Sequence, residues 1–157
     1  MTFSDLHNAE LAVLNPLLVA GQKLAGAAVV KEDVADLNTE IIQAMSGVGL
    51  MILLGTPPFD NSKDNSGQTL LAGVKQQILI GEVPAVWRNA DDTNIHCQDA
   101  AILVAASLQG LLLPNHQRLI VTGGTPLGTF KGEMKKSESV FQYYRLELEV
   151  AMTFSAN

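Results

Sequence analysis

The closing stretch YRLELEVAMTF limits the possible folds more than any other part of this chain. Tyr144, Leu146, Leu148, Val150, Met152 and Phe154 fall on one side of an extended strand, with Arg145, Glu147, Glu149 and Thr153 on the other. Side chains alternate with a period of two along a strand, so one face is dry and the other wet. A slip of one residue would invert both. Such a strand belongs in an antiparallel sheet covered by helices on a single side.

The rest of the chain supplies partners for it. Residues 4–25 read as one kinked helix or two short ones, capped by Ser4 and interrupted at Asn15-Pro16. In KEDVADLNTEIIQAM, Val34, Leu37, Ile41 and Met45 recur at helical spacing, and Gly47 ends the helix before the apolar strand VGLMILLG. Residues 56–69 hold two prolines and a run of turn formers and read as a loop. Residues 70–88 read as a long strand carrying Trp87, with a bulge or an edge at Pro84, which cannot donate to a ladder. After the turn NADDTN comes the helix IHCQDAAILVAASLQGLLL. It is apolar almost all round, apart from a strip of Gln98, Ala105 and Gln109, so it needs cover on more than one side. RLIVTGG is a third strand. The expected fold is α+β, a mostly antiparallel four-stranded sheet with helices packed on one face. Residues 1–157 form a single domain in this reading, with an N-terminal helical segment at 4–46 followed by the sheet and the central helix.

Charge and cysteine content narrow the setting. The formal net charge is −6, and the imbalance lies in the first sixty residues, where Lys23 and Lys31 stand against seven carboxylates. No basic stripe suited to phosphates is visible, so direct sequence-specific nucleic-acid binding is disfavoured. The lone Cys97 excludes an internal disulfide and fits a reducing compartment. MTFSDLHNAE lacks the basic start and apolar run of a signal peptide, and VGLMILLG is far below the roughly 20 residues that span a bilayer. A cytoplasmic protein without a membrane segment is expected.

None of the candidate constellations for chemistry is complete. VTGGTPLGTF has the glycines of a phosphate loop but lacks the Gly-Lys-Ser or Gly-Lys-Thr and the helix that phosphate binding requires. Followed by KGEMKKSESV and then a strand, it reads as a strand-to-strand connection, echoed by LLGTPPF at 53–59. Glu32, Asp36 and Glu40 at four-residue spacing read as a solvated helix face without another ligand. In HCQD, His96, Cys97 and Asp99 are sequence neighbours that point apart on a helix, and His7, His96 and His116 are too scattered for zinc. The residues therefore argue against an enzyme, and no catalytic, cofactor-binding or metal-binding residue is assigned. The alternative function is an intracellular small-molecule-binding or regulatory α+β domain, with a pocket between sheet and helices and the Gly-Thr-Pro turns as its rim.

Four strings, GVGLMILLGTPPFDNS, QILIGEVPAVWRN, DAAILVAASLQGLLL and FQYYRLELEVAMTF, together resemble the tail-terminator or tail-completion proteins of long-tailed phages and prophages. They cover most of residues 30–157. The resemblance implies a structural protein of α+β fold, with no catalytic residue to carry over and no cofactor. It also implies copies assembled into a ring on the tail tube, offering a surface to the head connector. The protein would then sit in the host cytoplasm during assembly and in the virion tail afterwards. Its partners would be copies of itself, the tube and the connector. In such a ring the 56–69 and 123–139 segments would make contacts, through Pro57, Pro58, Phe59, Lys63, Lys131, Lys135 and Lys136. The three lysines of the second segment would meet the acidic N-terminal region of the next subunit.

Overall fold

The computed structural model describes residues 1–61, 69–131 and 140–155. Among them six strands form one sheet: β1 (Ala28–Lys31), β2 (Leu50–Leu54), β3 (Phe59–Asn61), β4 (Thr69–Glu82), β5 (Ile120–Lys131) and β6 (Val140–Ser155). The order is β1-β2-β4-β6-β5, and the short β3 pairs with β4 beyond the end of β2. β1 runs parallel to β2 and the other pairings are antiparallel. The sheet is therefore mixed, with more strands than the four antiparallel ones expected.

The frame is the long pairing of β4 with β6, from Thr69↔Ser155 to Glu82↔Gln142. Its parity is the one read from the sequence: Leu146, Leu148, Val150 and Met152 are buried and lie opposite Ile78, Gln76, Val74 and Ala72. Two helices cover this front face, α1 (Phe3–Leu14) and α4 (Cys97–Leu108). Leu6 and Leu14 of α1 and Ala100, Ala101, Val104 and Leu108 of α4 pack with Leu50, Ile52, Ile78 and Ile80 in one core. Each fully buried aliphatic side chain of this kind contributes about 1.5–3 kcal/mol.

Helices were expected on one face only, yet the back is also covered at the β1–β2 end. There α2 (Leu37–Gln43) and the π turn Ala44–Val48 bring Leu37, Ile41, Ala44 and Met45 onto Val30, Met51 and Val83. Gly81 makes room for this layer, since a Cβ there would lie 3.0 Å from the Tyr143 ring and 3.1 Å from Met45 Sδ. The rest of the back face, with Lys75, Gln77 and Glu149, is wet.

Several local expectations are corrected. The first helix is capped by Thr2, not Ser4: the Thr2 hydroxyl accepts from the Asp5 N–H (3.2 Å), while the Asp5 carboxylate accepts from the Thr2 N–H (2.6 Å). Pro16 lies in a single 3₁₀ turn, Asn15–Leu17, that ends the helical run. Lys31 ends a strand, and Asp36 is the N-cap of α2, so Glu32, Asp36 and Glu40 do not share a helix face. Pro84 is neither bulge nor edge. It opens the helix α3 (Pro84–Ala90), where its missing N–H costs nothing. Trp87 is on α3, buried, and its indole N–H donates to the Ile95 carbonyl at 3.0 Å. Gly49 permits that placement: with φ +91° it ends the π turn, and a Cβ there would lie 2.6 Å from the Trp87 backbone nitrogen. Finally, VTGGTPLGTF is no connecting loop but part of the edge strand β5, paired with β6 through two register shifts.

Candidate functional site

The residues expected to make contacts are only partly brought together. Pro57 is buried and Pro58 exposed in the four-residue link between β2 and β3, and Phe59 begins β3 opposite Val74. Lys131 ends β5 opposite Val140 on the other edge of the sheet. The side chains of Phe59 and Lys131, and the whole of Lys63, Lys135 and Lys136, lie outside the described residues. Pro57 and Pro58 border an open trough of roughly 600 Å³ on the wet back face, shared with Glu32, Gln77, Thr122 and Glu147. The Thr56 N–H donates to the Glu32 carboxylate and fixes the rim of this trough. Lys75 and Glu149, register partners across β4 and β6, pair loosely at 3.9 Å; both are solvated, so the contact adds little.

Two buried polar groups went unread in the sequence. The first joins α1 to the sheet. Gln76 Nε2 donates to Glu10 Oε2 and to the Gly55 carbonyl, both at 3.1 Å, and His7 Nε2 donates to the same carbonyl at 3.1 Å. His7 and Glu10 are 0% exposed and Gln76 is 1% exposed. Burial pushes the Glu10 carboxyl up to about 8, against a smaller lowering by the Gln76 amide. The signal was available: Glu10 falls between Leu6 and Leu14 at four-residue steps on an apolar stripe, and Gln76 falls between Val74 and Ile78 on the dry side of a strand.

The second group ties α3 and α4 to the end of β4. Glu82, 0% exposed, accepts from Arg88 Nε at 2.8 Å, from Arg88 Nη2 at 3.2 Å and from the Cys97 N–H at 3.1 Å. The carboxylate thus takes up a free donor at the α4 N-terminus, where negative charge is favoured. Cys97 Sγ lies 3.3 Å from the Ile80 carbonyl, and burial together with the Glu82 charge pushes its thiol up to about 12. A thiol held protonated to that degree is a poor nucleophile. Among the described residues no three His, Cys, Asp or Glu side chains gather as metal ligands. The space between the sheet and the front helices is filled by the core side chains, among them Ile52, Ile78, Ala101 and Leu108 at 0% exposure.

A groove of roughly 470 Å³ lies between α4 and the β5 edge, on the front face. Ile102, Ala105 and Ala106 form one wall, Val121 and Gly124 the other, and Tyr144 the floor. Ile102 is 64% exposed, so α1 supplies only part of the second cover that the sequence demanded for this helix.

No protein-family model matches this sequence, and no curated protein matches it. Among solved structures, a chain from the virion of a native gene transfer agent particle shares the fold. Its TM-score is 0.53 at 17% identity, covering 95% of both chains. The sheath/tube terminator of an extracellular contractile injection system (PVC), in its extended state, aligns at TM-score 0.45 and 14% identity. That alignment covers 100% of this chain and 59% of the other, so the chain spans about three-fifths of that protein's length.

Proposed function

We propose that this chain is a structural component of a phage-like tail, a terminator whose copies form a ring on the end of the tail tube and offer a surface to the head connector. One observation carries the reading: the fold of a gene transfer agent virion chain is shared over 95% of both chains. The site agrees with it. Its buried polar groups are spent on holding helices to the sheet, its one thiol is buried and held protonated, and its open surfaces include a trough and an apolar groove. The protein acts by being contacted, with Pro57, Pro58, Phe59, Lys63, Lys131, Lys135 and Lys136 toward neighbouring subunits or the tube. It is made in the host cytoplasm and leaves in the particle tail.

Disrupting the gene in a particle-producing strain tests this. Tubes of uneven length and unjoined heads in electron micrographs are the expected result, reversed by a plasmid-borne copy. Normal particles at normal yield would overturn the proposal.

A further inference from the structure

The ring reading leaves open which surfaces join one copy to the next, and two patches at opposite ends of the sheet answer that question. The first is the α4–β5 groove, on the front face at the β5 edge. The second is α2, on the back face at the β1–β2 edge, where Ile42 stands off the stripe of half-buried Leu37 and Ile41 and buried Met45 and is 63% exposed. Ile42 and Ile102 are the two most exposed large hydrophobic side chains among the described residues. One is a knob on a short helix; the other forms the wall of a concave apolar surface.

Their surroundings carry opposite charge. From Glu32 to Gln43 the chain holds Glu32, Asp33, Asp36 and Glu40 and no cation. From Ala100 to Leu127 it holds Arg118 and no carboxylate. Arg118 Nη1 donates to the Gly110 carbonyl at 2.8 Å, which places its charge at the C-terminal end of α4, next to the Gln109 end of the groove. Asp99, in the first turn of α4, is the single carboxylate on that helix and lies at the other end.

The geometry points to a head-to-tail contact between copies of this chain, in which α2 of one subunit docks in the α4–β5 groove of the next with Ile42 against Ile102. It rests on the ring reading and specifies its interface. The acidic N-terminal turn of α2 lies toward Arg118 and away from Asp99, so the two helices run antiparallel and their dipoles agree. Opposite edges and opposite faces make the contact heterologous: each subunit uses its groove once and its knob once. Such contacts close into rings or extend into filaments, whereas a two-fold dimer would need a self-complementary patch. Gly124 of VTGG acquires a role here. A Cβ at Gly124 would lie 2.8 Å from the Tyr144 ring, so side chains there would crowd the groove. β5 itself, with Pro126 and two register shifts, is poorly suited to continuing the sheet into a neighbour, which leaves helix docking as the means of contact.

Paired cysteines read this contact directly. The double variant Ile42→Cys, Ile102→Cys, treated with a short bis-maleimide at high protein concentration and on assembled particles, should give a ladder of covalent trimers and larger species. Each single variant should remain uncrosslinked, as should the wild-type chain with its buried Cys97. Both sites are mostly exposed, so unchanged thermal unfolding of the variants checks that they fold. An oligomer by light scattering without a ladder would overturn this interface and leave the ring reading standing. Self-crosslinking of either single variant would replace it with a two-fold contact. A chain that is monomeric both in solution and on particles would overturn both.

Discussion

Replacing Glu10 by Gln should raise stability above neutral pH and remove most of its pH dependence. Glu10 is fully buried between α1 and the sheet and meets only the Gln76 amide, so the folded protein keeps its proton up to about pH 8, against an ordinary value of 4.5. Between those values the native state binds a proton that the unfolded chain has released, so stability falls as pH rises. The contribution is fully present below about pH 4.5 and is lost on passing through about pH 8. At about 1.4 kcal/mol per pH unit the whole window is worth at most about 5 kcal/mol. Local release of α1 would let water reach the carboxylate and keep the loss below that bound. Gln at position 10 keeps the acceptor for Gln76 Nε2 and adds a donor for Gln76 Oε1, which has no hydrogen-bond partner in the structure. Urea titrations of both proteins at pH 5, 7 and 9 measure the difference, within a range where the exposed Asp5 and Asp91, both held below the usual carboxylate range by hydrogen bonds, stay ionised. The wild type should weaken steadily toward pH 9 while the variant stays nearly level. A wild-type curve that is flat or rises with pH, or a variant that follows the wild type, would refute the burial argument.

Two further substitutions probe the other buried group. Glu82→Ala should cost about 2–4 kcal/mol in urea unfolding, because Arg88 and the first N–H of α4 lose their acceptor. A loss below about 0.5 kcal/mol would mean that solvent already screens the pair. Cys97 in the native protein should resist a thiol reagent at pH 8 and react only at the rate of unfolding, since its thiol is buried and pushed up to about 12. Rapid labelling of the folded chain, with Cys97→Ser as control, would contradict that.

The parity of β6, the all-round apolarity of α4 and the burial of β2 could be read directly because each is a periodicity of neighbouring residues. The α+β class followed from the order of those elements. Other features depended on distant partners. AVVK is four residues with no period of its own, and it is a strand because β2 offers it a parallel edge. Pro84 fits a strand edge and a helix start equally well; what settles it is Trp87 reaching the Ile95 carbonyl beneath Gly49. VTGGTPLGTF has the composition of a turn, yet β6 is long enough to hold it extended. Exposure divides in the same way: Pro58 is exposed as its loop-like surroundings suggested, whereas the exposure of Ile42 and Ile102 gave no sign among the other aliphatics of their helices. A helical stripe tells which side chains can be buried together. Which of them are left outside depends on how far the neighbouring elements extend, and only the tertiary structure decides that.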